Sequence, residues 1–234
     1  MNPRLTVSDV DEAQWIRLGL HPFAQDVGSL VPPGFDEYAR IFHPADRDGA
    51  HVMWRDIARS NGRVMHPEVQ FGPVSGSWTK SPDPSLWTAP PKTGTLPIEF
   101  VGALNDVLSA RTLDADECRF AIWTGWTFDE ELRTARRFKL PHREYYVTVG
   151  PLQVALDGVY GPGFSYQSPS MWWPEDHSWF VSTDVDLAYS YMGASRDVIA
   201  AVVAHPKIEA MRVQRGHRIT WDADRINPSV GSPH

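Results

Sequence analysis

Tryptophan decides most of what this chain can fold into. Ten of its 234 residues are Trp, several times the ordinary share, and each indole seeks an apolar surround and a partner for its N–H. Burying most of ten indoles takes a substantial core, and 234 residues are enough for one large domain or two small ones. A hydrophobic content of 42% and a charged content of 22% belong to a globular chain rather than a disordered one.

The aromatic residues concentrate between Pro169 and Tyr191. There Trp172-Trp173-Pro174-Glu175-Asp176-His177 runs on to Trp179-Phe180, Asp184-Val185-Asp186, Tyr189 and Tyr191. This reads as an aromatic loop feeding an extended segment with two aspartates. It is the densest stretch in groups that stack and accept hydrogen bonds, so it is the candidate surface for recognition or chemistry.

Local periodicity sets the rest. Ser8 to Leu20 predicts a helix, with Ser8 as cap and Asp11 at the capping-box position. Glu37–Phe42 reads as extended, and Ala50–Ser60 as a helix stopped by Asn61-Gly62. From Pro67 to Pro97 prolines and glycines crowd out regular structure, yet Phe71, Trp78, Leu86 and Trp87 need burial there. The segment 67–97 is therefore expected to wrap on the surface of a single domain, 1–226, with a frayed tail at 227–234.

Pro97–Ala110 predicts a helix with Val101, Leu104 and Leu108 as its stripe. Strands follow at Cys118–Trp123, Arg143–Val149, Ser178–Thr183, Asp186–Tyr191 and Ile208–Val213. A short helix is expected at Pro151–Leu156, and a longer one runs from Ser195 to His205-Pro206. Strands gathered in the second half favour an α+β class, a mostly antiparallel sheet with helices packed on one side.

A net charge of −7 argues against a nonspecific nucleic-acid partner, which needs a basic face. The local exception is Arg133, Arg136 and Arg137, which face either a phosphate or the acidic run at 129–131. No run approaches the ~18 apolar residues of a membrane span. The acidic N-terminal stretch is not that of a signal peptide, and Cys118 stands alone, so a cytoplasmic location is expected. The sequence leaves the oligomeric state open.

Nucleotide loops, esterase elbows, zincin helices and paired CxxC motifs are absent from the sequence, and no cofactor is identified. The most metal-like spacing is that of His43, Asp46, Asp48 and His51, two imidazoles and two carboxylates within nine residues that could hold a divalent ion. The other reading gives an aspartate a helix-capping role and leaves the histidines at the surface. If Asp184-Val185-Asp186 continues one strand, both carboxylates share a face, their Cα atoms roughly 6–7 Å apart. With Glu175, Asp176 and His177 they would then suit a metal, acid–base chemistry, or recognition of a cationic or sugar ligand. If the chain turns at Val185 they bind local backbone amides instead. Trp172 and Trp173 would supply a stacking platform, and Arg143 a partner for one of the aspartates.

The segments Val31–Arg40, Trp172–Trp179 and Phe180–Ser195 resemble a pattern in uncharacterised proteins of high-GC Gram-positive bacteria. The resemblance spans the chain and brings no activity with it. From the residues, the leading expectation is a non-catalytic domain recognising a protein or small-molecule ligand through Trp172, Trp173, His177, Asp184, Asp186 and Arg143. The alternatives are a hydrolase built on the clustered Asp and His residues, with or without a divalent metal, and a sugar-binding module read from the tryptophan content.

Overall fold

The computed structural model describes residues 1–126, 130–161 and 163–231. Its strands are β1 (Thr6–Val7), β2 (Glu37–Phe42), β3 (Ala45–Arg47), β4 (Ala50–Val52), β5 (Cys118–Trp123), β6 (Phe138–Leu140), β7 (Arg143–Gly150), β8 (Met171–Pro174), β9 (Trp179–Ser182), β10 (Tyr189–Ala194) and β11 (Ala210–Val213). Its helices are α1 (Gln14–Arg17), α2 (Trp54–Ser60), α3 (Phe71–Ser75), α4 (Ile98–Ser109), α5 (Glu130–Thr134), α6 (Val154–Asp157) and α7 (Arg196–Ala204).

One nine-stranded sheet runs β1-β7-β5-β8-β9-β10-β2-β11, with β6 beside β1 on the flank of β7. Its pairings are antiparallel, as expected for the α+β class. The sheet takes strands from Thr6 through Val213, so the two halves of the chain share one scaffold.

Both faces of the sheet are covered. Phe120, Ile122, Trp172, Trp179, Val181 and Met192 point to one face, where α4, α6 and α7 pack. The stripe Val101, Leu104 and Leu108 of α4 is buried there, as its 3.6-residue spacing requires. The alternate residues Ala121, Trp173, Phe180, Tyr189 and Tyr191 point to the opposite face. That face carries the short helices α1, α2 and α3, while the long helices keep to the first.

Three local expectations are corrected. The stretch Trp172-Trp173-Pro174 is not a loop but the central strand β8, paired with β5 and β9. The first helix shrinks to a 3-10 turn at Val10–Ala13 plus α1. Its cap is Asp9, whose side chain accepts from Asp11 N–H, while Ser8 Oγ donates to Glu12 at 2.6 Å. The helix expected from Ala50 begins at Trp54, because Asp48 and Gly49 adopt φ of +54° and +87° and turn the chain into the β3–β4 hairpin.

α2 lacks a capping side chain of its own. The buried carboxylate of Glu209, distant in sequence, accepts from Trp54 N–H at 2.6 Å and Arg55 N–H at 2.7 Å. The segment 67–97 folds onto the second face as expected, with Phe71 and Trp87 buried and Trp78 and Leu86 half-buried. Nine of the ten tryptophans are buried or half-buried, and Trp221 is exposed. The indole N–H groups of Trp172 and Trp173 find no acceptor among the described residues, so packing alone holds those rings.

Arg136 pairs with Asp9 and Arg137 with Glu144, each at 3.0 Å. The side chains at 129–131 and the final three residues of the tail lie outside the described residues. Among the described residues no helix is long and apolar enough to cross a membrane.

Candidate functional site

The chain turns between β9 and β10 instead of running through as a strand. Asp184 Oδ1 accepts the N–H of Asp186 at 3.0 Å, closing an Asx turn across Val185. The turn aims both carboxylates at Arg143, the first residue of β7. Arg143 Nε and Nη2 reach the two oxygens of Asp184 at 3.2 and 3.1 Å, and Nη2 also donates to Asp186 Oδ2 at 2.5 Å. Its guanidinium carbon lies 5.3 Å from the centre of the Phe23 ring. Burial works against the guanidinium's charge, but the bonds and charges of Asp184 and then Asp186 raise its pKa above the ordinary arginine value.

The two aspartates differ in access: Asp184 is 9% exposed and Asp186 77%. Gly94 allows the neighbouring loop to close on this turn. Its φ is +71°, a Cβ there would meet Val185 O at 2.9 Å, and Gly94 N–H donates to Leu187 O at 3.1 Å.

Three adjoining cavities meet at the turn and form a trough. The first, about 240 Å³, lies between Leu20, Phe23, Leu30 and Arg143. The second, about 330 Å³, shares Phe23, Leu30, Arg143 and Asp184 with the first and adds Asp186, Leu187, Ile219 and Trp221. The third, about 380 Å³, shares those last four residues and is walled by Trp54, Phe71, Trp78 and Tyr189. The β9–β10 turn, the β6–β7 turn, the 67–97 loop and the segment at Ile219–Trp221 converge there because strands β7, β9 and β10 direct their ends to one side of the sheet.

Other residues singled out in the sequence lie elsewhere. Trp172 and Trp173 are fully buried on opposite faces of β8, so neither presents a ring to a ligand, and the stacking platform expected of them is not formed. His177 sits in the β8–β9 turn, seven residues and roughly 20 Å of strand from Asp184. It stacks on Trp15 with centroids 4.1 Å apart and does not join the carboxylates.

The metal cradle is also taken apart. His43 is buried, with Nδ1 2.8 Å from Lys92 O and Nε2 2.9 Å from Ser190 Oγ. Asp46 and His51 face each other across the β3–β4 hairpin. Asp46 Oδ1 accepts from Gly49 N–H, Asp48 is at the tip, and His51 lies 3.9 Å from Glu99. Among the described residues no three His, Cys, Asp or Glu side chains are grouped as ligands for a metal.

His43 and Ser190 form a contact that the sequence did not suggest. The carbonyl of Lys92 requires a proton on Nδ1, so Nε2 accepts from Ser190 O–H, and Thr183 Oγ1 lies 2.6 Å from Ser190 Oγ. His43 and Ser190 have no solvent-exposed surface, and neither lines the trough. The chain is a satisfied buried network joining β2, β9 and β10.

Phe23, Leu187, Ile219 and Trp221 of the trough were not anticipated. Only Trp221 carried a signal, as an indole among the polar residues Thr220, Asp222 and Asp224 near the C-terminus.

No model of a known family, no curated protein and no solved structure matches the chain.

Proposed function

We propose that the chain is a non-catalytic ligand-binding domain, with the trough as its working surface and a small molecule of largely apolar body as its ligand. The observation that carries this reading is the sharing of wall residues by three cavities around an Arg143–Asp184–Asp186 cluster fixed by its own hydrogen bonds. Small-molecule sites of ~300–1,000 Å³ pair apolar walls with a few fixed polar groups. A pre-ordered anchor spares the ligand the entropy of arranging it. Trp221 supports the reading because it is a large exposed apolar side chain lining two of the cavities.

A non-catalytic role is favoured by the occupation of both carboxylates by one guanidinium, and by the burial of the His43–Ser190 pair away from the trough. The cytoplasm is the compartment this reading assumes. It rests on the lone thiol Cys118, which is buried in the core and whose pKa burial pushes up to about 12.

Ligand-observed NMR with a library of mono- and bicyclic fragments tests the reading, with hits mapped on the amide spectrum of the full chain. Hits should shift amides at 182–189 and 219–221 and weaken at least threefold in Trp221→Ala. Fragments that settle elsewhere, or ignore that substitution, would remove the trough as the binding surface.

A further inference from the structure

The charges along the trough are unequal, and the inequality selects a ligand. Among the described residues, Asp186 is the only charged one lining the third cavity; the remaining walls are aromatic, aliphatic, proline or uncharged polar side chains. At the turn one guanidinium serves two carboxylates, which leaves one negative charge. Asp184 is nearly buried and bound through both oxygens, so that charge reaches solvent at Asp186. Arg143 engages Oδ2 of Asp186, and among the described residues no donor reaches Oδ1, which can accept from a ligand. Trp221 lines the same two cavities as Asp186, with its indole partly open to solvent. An anionic oxygen and a part-exposed aromatic ring lining one cavity are the groups that recognise organic ammonium ions.

We infer that the third cavity binds an amphiphilic organic cation, its ammonium head between Asp186 and Trp221 and its apolar body against the half-buried Trp78, Pro90 and Leu187. This rests on the trough being the binding surface. A second charge fixes the orientation. Arg40 is completely buried behind the inner wall, its guanidinium carbon 3.7 Å from the Tyr189 ring centre and 5.6 Å from that of Trp54. That permanently charged group, which donates to Pro67 O at 3.0 Å and packs against the rings of Phe42, Trp54 and Tyr189, disfavours a cation at that end and leaves the apolar body to fill it. Arg17 lines only the first cavity, beyond Arg143, and leaves the ammonium position clear.

The test uses the full chain and three probes of nearly one shape: benzyltrimethylammonium, the neutral alcohol 2,2-dimethyl-3-phenylpropan-1-ol and the anion 2,2-dimethyl-3-phenylpropanoate. Each is titrated by calorimetry into the wild type, Asp186→Asn and Trp221→Ala. Asp186→Asn keeps the fold, since Asp184 retains its paired bonds to Arg143. The cation should bind at least fivefold tighter than the alcohol, lose that margin in Asp186→Asn and weaken with rising salt, while the alcohol is indifferent to both. Equal binding of cation and alcohol, each dependent on Trp221, overturns the cation assignment and leaves the trough reading standing. Preference for the anion overturns the assignment and names Arg143 as the anchor. Failure of all three to bind, or binding untouched by Trp221→Ala, removes both the trough reading and the assignment built on it.

Discussion

Single residues here owe their roles to neighbours that are remote in sequence. Arg143 was legible as a partner for an aspartate because it opens a strand pattern after Pro141-His142. Its service to two aspartates at once depends on the turn at Val185, which sequence spacing alone left open. His43 reads as a surface ligand only while Lys92 and Ser190 are out of view, 49 and 147 residues away.

The burial of His43 makes stability depend on pH, and the sign is fixed. Burial lowers its pKa from 6.5 to about 4, with the Lys92 carbonyl opposing and Arg40 reinforcing the fall. The unfolded chain takes up a proton near pH 6.5 that the folded chain refuses until about pH 4. The contribution is therefore fully present above pH 6.5 and is lost as pH falls toward 4, by about 3 kcal/mol in all. The His43 ring carbon shift in the folded protein should titrate near pH 4. A midpoint near 6.5 would contradict the buried neutral ring.

Elements with a strong internal period were legible. β2, β5, β7 and α4 stand within a residue or so of where alternation and helical spacing put them. Elements set by turn chemistry or by tertiary caps were not. Asp48-Gly49 is a hairpin signal that the attraction of a His/Asp metal set obscured. The start of α2 is decided by Glu209, and no local pattern at Met53 announces that. Replacing Glu209 with Ala strands two amides at the first turn of α2 and should cost about 2 kcal/mol in denaturant unfolding. Glu209→Gln should recover less than half of it, because its amide nitrogen would face a second N–H donor. A loss below about 0.5 kcal/mol would show that the helix does not depend on this cap.

At the scale of the molecule, composition and strand clustering gave the α+β class. The burial of both sheet faces was concealed by its own consequence. Strands apolar on both sides lose the alternation that marks them, so Trp172-Trp173 read as a loop when it is the middle of the sheet. Native-state hydrogen exchange should rank the strands accordingly, with amides of β5, β8 and β9 slowest and those of β1 and β6 fastest. Exchange in β8 as rapid as in β1 would refute the strand order.

The outermost strands have a consequence for the protein in crowded solution. One border of the sheet is finished by the two residues of β1 and the three of β6, the other by the four of β11. A neighbouring molecule seeking to extend the sheet meets a short run of backbone at either border, too brief to template a lasting intermolecular ladder. The chain concentrates its stickiest residues in the interior strands and gives the shortest strands to its margins, a distribution that protects an indole-rich protein from polymerising through its own sheet.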